Sequence, residues 1–98
     1  MVPVFDIEDQ SGRKIHLSKE RWRHINEEHP EIAAYLEALK DTLVNPLRII
    51  TYTLDDTVHY YHRYYKERAS PAKYLIVIVK YLNHHGFIIT AYFVRTLP

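Results

Sequence analysis

Residues Tyr74–Arg95 read YLIVIVKYLNHHGFIITAYFVR. Two apolar runs, rich in β-branched and aromatic residues, flank His84-His85-Gly86. Such residues suit a pleated, packed surface. A three-residue loop closed by Gly suits a type I turn ending in a left-handed residue. Pairing Asn83 with Phe87 predicts Lys80 opposite Thr90 and Ile78 opposite Tyr92. Strand side chains alternate with period two. Ile76, Ile78, Lys80, Thr90, Tyr92 and Val94 are therefore expected on one face. A lysine, a hydroxyl and a phenol among aliphatics make that face the first place to look for chemistry.

Upstream of the hairpin, Val58–Tyr65 alternates aromatic and polar residues and is predicted as a strand, and Arg48–Thr53 as another, joined at an Asp55-Asp56 turn. Lys66–Ala72 is a polar loop containing Pro71. Further back, Ser18 is placed to cap a helix, with Leu17 and Trp22 at hydrophobic-staple positions. Arg21, Trp22, Ile25 and His29 share one helical stripe, and His24 lies off it. Pro30 disfavours helical geometry at His29 and suits the first turn of a second helix. Ile32, Tyr35, Leu36, Leu39 and Leu43 form that helix's apolar stripe, and Asn45-Pro46 stops it. Val4–Glu8 and Arg13–Leu17, around the turn at Asp9–Gly12, read as two short strands. The expected fold is α+β: a short N-terminal β-hairpin, two helices, then a four-stranded antiparallel sheet, with the helices on one face.

The 98 residues read as one domain, 1–98. The absence of Cys rules out disulfides and thiolate metal sites and fits a reducing, cytoplasmic compartment. No signal peptide is visible, and the apolar run Tyr74–Val79 is too short for a membrane span. The net charge of +1 is unevenly spread. Residues 1–56 hold seven Lys/Arg and eleven Asp/Glu, whereas residues 57–98 hold six Lys/Arg and one Glu. Residues 57–98 also hold four of the seven His and seven of the nine Tyr. A basic, aromatic surface neutralises phosphates and stacks on bases, so RNA is a candidate partner. An ordinary solvated sheet face has the same composition.

His29 ends the inward helix stripe, where packing gives way to solvent and a histidine can exchange protons near neutral pH. The bland reading is an inert histidine at the negative end of a helix dipole. Lys80 is either a phosphate clamp or a snorkelling side chain. Tyr92 and Thr90 share its face; Arg95 and Arg63 are candidate phosphate contacts. His59 and His62 are three apart and go to opposite strand faces, and His84-His85 sit in a turn, so no metal site and no cofactor motif is expected.

The pattern Leu17-Ser18-Lys19-Glu20-Arg21-Trp22-Arg23-His24-Ile25 with Glu28-His29-Pro30-Glu31, Leu43-Val44-Asn45-Pro46, Val79-Lys80-Tyr81 and Ile89-Thr90-Ala91-Tyr92-Phe93 resembles the phage-barnase-like branch of the barnase–EndoU–colicin–RelE superfamily of small RNases. The resemblance implies a metal-independent endoribonuclease, in many members a toxin of a toxin–antitoxin system or a phage effector. It implies catalytic roles for His29, Lys80, Tyr92 and Thr90, with His24 as a substrate contact beside the candidates Arg63 and Arg95. RNA would be the substrate, and an antitoxin or a second copy the protein partner. A non-catalytic RNA-binding or protein-interaction module on the same scaffold is the alternative.

Overall fold

A computed structural model describes residues 3–97. In chain order the elements are β1 (Phe5–Glu8), β2 (Lys14–Leu17), α1 (Lys19–Glu28), a 3₁₀ turn (Pro30–Ala34), α2 (Leu36–Val44), β3 (Arg48–Tyr52), β4 (Asp55–Tyr64), β5 (Tyr74–Leu82) and β6 (His85–Val94). The class is α+β. The sheet, however, has six strands in the order β1-β2-β6-β5-β4-β3, not four. The N-terminal hairpin joins it through a parallel pairing of β2 with β6, Ile15 opposite Gly86 and His16 opposite Phe87. No local signal announces a parallel pairing between residues so far apart in sequence.

Gly86 explains why the two strands meet there. A Cβ on it would lie 2.9 Å from both a Tyr81 ring carbon and Val79 Cγ1, and 3.1 Å from Ile15 Cγ1. Its role is close approach, not turn geometry. The turn itself is Asn83-His84, with φ of 51° and 68°, joining Leu82 opposite His85. Two consecutive positive φ angles make a two-residue type I′ connection, whose twist matches the flanking strands. The expected three-residue loop is therefore one residue too long. A bulge then shifts the register between Ile78 and Val79, leaving Ile89 as the extra residue. Lys80 faces Phe87, Thr90 faces Ile78 and Tyr92 faces Ile76. The predicted opposite pairs are wrong. The predicted shared face survives, because the shorter turn and the bulge restore the alternation between them.

α1 begins at Ser18, whose Oγ accepts from the Arg21 N–H at 3.1 Å. It ends at His29, whose own N–H donates to the Ile25 carbonyl at 2.7 Å. The second helix does not run unbroken from Pro30. It splits at Tyr35 (φ −118°, ψ 27°), whose ring packs edge-on against Phe93 with centroids 4.8 Å apart. Ile25, Ile32, Leu39 and Leu43 then bury completely against Leu75, Val77, Val79 and Ala91 on one sheet face. Each such burial contributes roughly 1.5–3 kcal/mol.

A polar tether fixes the β1–β2 turn to the sheet. Asp9 Oδ1 accepts from the Ser11 and Arg13 N–H groups, which shapes the turn. Asp9 Oδ2 lies 3.2 Å from the hydroxyls of Tyr61 and Tyr81, which also hydrogen-bond each other. The Arg13 guanidinium stacks 4.0 Å over the Tyr81 ring. Burial works to raise the Asp9 pKa, but hydrogen bonds from the Ser11 hydroxyl and two backbone N–H groups, with the Arg13 charge, hold it below the usual carboxylate range.

Candidate active site on the open sheet face

β2 leaves β6 after Phe87, and α1 lies along the edge so vacated. A helix there covers backbone groups that would otherwise be an open template. α1 meets β6 at both its ends. At its near end Ser18 and Arg21 line an open cleft of about 670 Å³ with Asp6, His16, Lys80 and Phe87. At its far end His29, the cap of α1, stacks on Tyr92 with ring centroids 5.2 Å apart.

The structure thus brings His29 and Tyr92 together. Thr90 is two residues back along the same strand face, opposite Ile78. Lys80 is four residues along β5 from Ile76, the partner of Tyr92, so it stands roughly 13 Å away at 3.3 Å per residue. It is not a free cation. Its Nζ donates to Asp55 Oδ2 at 2.5 Å. That bond, with two from Thr57, holds the Asp55 carboxyl down at about 2. A phosphate at Lys80 must compete with this carboxylate.

Three expected substrate contacts stand elsewhere. Arg63 Nη1 donates to the Asn45 carbonyl at 2.6 Å, closing the C-terminus of α2, so a phosphate there would compete with this bond. Its rung partner Leu75 is a core residue, so Arg63 is on the helix-covered face by strand alternation. His24 projects from α1 toward Glu20, one turn back, at 3.8 Å. Arg95 is exposed just beyond β6. Val94 pairs with Tyr74, six residues from Lys80, or roughly 20 Å along the strand.

Other side chains of this face had gone unread. His16 Nδ1 is hydrogen-bonded to Asp6 Oδ1, and its Nε2 lies 3.2 Å from His85 Nδ1. Arg21, expected on the inward stripe, is exposed and lines the cleft. Alternation in Lys14-Ile15-His16-Leu17 was a usable signal, since it sends His16 away from buried Ile15 and Leu17. Its partners come from β1 and β6, which the sequence does not connect.

Of two further histidines, one is buried and the other half-buried. His62, on the rung of Ile76, is fully buried, and neither ring nitrogen has a partner. Burial lowers its pKa. His59 packs 5.0 Å from the Tyr81 ring, and burial, then the Arg13 charge, lowers its pKa as well. They lie on opposite faces, as their spacing predicts. Among the described residues no group of three or more His, Asp or Glu side chains is placed to share a cation, and no helix is long and apolar enough to cross a membrane.

No curated protein and no solved structure matches the chain. A family model described as phage-Barnase-EndoU-ColicinE5/D-RelE like nuclease2 matches residues 5–96. That span takes in the N-terminal hairpin, both helices, the sheet and both ends of α1. The chain belongs to this family of nuclease-like domains.

Proposed function

We propose that the chain is a metal-independent endoribonuclease that cleaves RNA by transesterification. A base removes the proton of a ribose 2′-hydroxyl. The 2′-oxygen forms a bond to the adjacent phosphorus, the bond from phosphorus to the 5′-oxygen breaks, and an acid protonates the departing oxygen. The products are a 2′,3′-cyclic phosphate and a 5′-hydroxyl. DNA lacks the attacking group. Membership of the nuclease family supports the class of reaction.

The observation that carries this reading is His29 stacked on Tyr92 at the C-terminal end of α1. An imidazole oriented by packing and facing a phenol is suited to proton transfer. In this reading His29 does the acid–base work, Tyr92 and Thr90 donate hydrogen bonds to the reacting phosphate, and Lys80 and Arg21 neutralise the backbone further along. Charge placed where it develops in a transition state is worth more in a partly enclosed site than in water. A toxin role, with an antitoxin laid over the open face, suits a nuclease of this size.

The test is purified protein with mixed RNA and a matched DNA in EDTA, with product ends mapped. Cleavage of RNA alone, leaving cyclic phosphate or 3′-phosphate ends, is expected. An absolute requirement for a divalent metal, or equal cleavage of DNA, overturns the proposal.

A further inference from the structure

We propose, resting on the ribonuclease reading above, that Asp6, His16 and His85 form a second proton-transfer centre, acting on another phosphodiester of the same RNA at the opposite end of β6 from His29. Asp6 and His16 line two adjoining clefts. One, of about 670 Å³, also carries Lys80 and Arg21; the other, of about 350 Å³, also carries His85, Lys14 and Glu8. Asp6 and His16 form the wall between them, and the His85 ring stacks on that of His16 with centroids 5.4 Å apart. A phosphodiester crossing that wall meets cations on both sides.

The proton inventory gives each ring a role. An ionised carboxylate only accepts, so His16 Nδ1 carries its proton toward Asp6. His16 Nε2 is then the acceptor, and the 3.2 Å contact is a hydrogen bond donated by His85 Nδ1. His85 Nε2 remains as the basic nitrogen. When it takes the ribose 2′-hydroxyl proton, the Nδ1 proton of His85 passes to His16 Nε2. The positive charge then rests on His16 beside the Asp6 carboxylate. The 2′-oxygen bonds to phosphorus. As the bond to the 5′-oxygen breaks, His85 Nε2 returns its proton to that oxygen and His85 Nδ1 regains its own. No proton is gained or lost overall. His85 touches the reacting atoms; His16 and Asp6 act through it, as an oriented base and its orienting group do in acyl-transfer enzymes.

Four variants are compared with wild type for RNA cleavage in EDTA across pH: His85→Gln, His16→Gln, Asp6→Asn and His29→Ala. Circular dichroism checks that each is folded. His85→Gln and His16→Gln are each expected to lose about 10²-fold or more in rate at the phosphodiester served by this centre, and His29→Ala at the one served by the other. Asp6→Asn is expected to lose less, and to lose it in kcat with KM unchanged, because it removes the anion beside the charged His16 without touching substrate. Glu8, Lys14, Arg21 and Lys80 face the same pair and are unchanged in that comparison. A purely structural Asp6 would leave kcat of the folded protein where it is. If wild type cleaves RNA while both His variants keep its rate, this centre is overturned and the ribonuclease reading stands. If Asp6→Asn leaves kcat unmoved, the relay through His16 falls. If wild type cleaves no RNA, both fall together.

Discussion

The two ends of β6 carry histidines placed by opposite means. At the far end His29 reaches Tyr92 because a helix that starts at Ser18 and stops before Pro30 has one possible length. At the near end His16 reaches His85 only because β2 docks in parallel against β6, with Gly86 leaving room for Ile15. The helix end that carries His29 is set by local chain geometry and only its docking on β6 is tertiary, whereas His16 reaches His85 through a strand pairing between residues 69 positions apart. The His29 end should therefore tolerate damage to the β2–β6 junction, and the other should not.

The largest expected effect separates the ends by activity. His29→Ala should slow RNA cleavage by about 10²-fold or more if proton transfer occurs there, and Lys80→Ala should cost about tenfold or more. Initial rates on one RNA measure both. If His29→Ala keeps full activity, the far end only binds, and the chemistry belongs to the near end alone.

Next, Gly86→Ala forces a methyl into atoms 2.9–3.1 Å away. Overpacking of this kind costs about 1–3 kcal/mol, and each kcal/mol lowers Tm by roughly 4–8 °C in a domain this small. Calorimetry checks the loss. The ring signals of His16 and His85 should shift in NMR spectra while that of His29 does not. Equal shifts at all three would show that the ends are not built independently.

Acid should act through His62 and His59. The folded pKa of His62 is lowered by burial, so below the ordinary histidine value near 6.5 the unfolded chain binds a proton that the folded chain refuses. The stability associated with neutral His62 is complete above that value and is lost as pH falls toward the folded pKa. One proton limits the slope to about 1.4 kcal/mol per pH unit. Urea midpoints at pH 7.5 and 5 should differ in wild type, and less so in His62→Leu. An unchanged pH dependence in that variant would assign the acid sensitivity to His59.

The smallest effect concerns Lys80. Asp55→Asn removes its partner at 2.5 Å and should tighten RNA binding a few-fold at low salt, with a steeper salt dependence as one more cation meets phosphate. Fluorescence anisotropy of a labelled RNA measures it. Weaker binding would mean that Asp55 is needed to hold Lys80 in place.

Much was legible from residues alone. The Ser18 cap, the stop at His29, the strand segments and the face shared by Lys80, Thr90 and Tyr92 follow from short-range sterics and hydrogen bonding, and so can be read from neighbouring residues; the expected Asp55-Asp56 turn does not hold, because both residues belong to β4 and the turn falls at Thr53-Leu54. The motifs around Trp22, His29 and Tyr92 also indicated the family. The turn was misread because Gly86 looked like a turn residue, whereas Asn83 and His84 took the positive φ angles. Arg63 looked like a phosphate contact because a carbonyl waiting at Asn45 leaves no mark in sequence.

By itself, then, the sequence determined which segments are helix and strand, which side chains alternate to which face, and where α1 presents His29. Tertiary structure alone decided that the N-terminal hairpin completes a six-stranded sheet, that a bulge at Ile89 restores the alternation upset by a shorter turn, and that Asp6, His16 and His85 meet. The physical reason is range. Dihedral preferences and caps act within a few residues, whereas strand order and side-chain meeting points emerge only when distant surfaces compete to bury the same core.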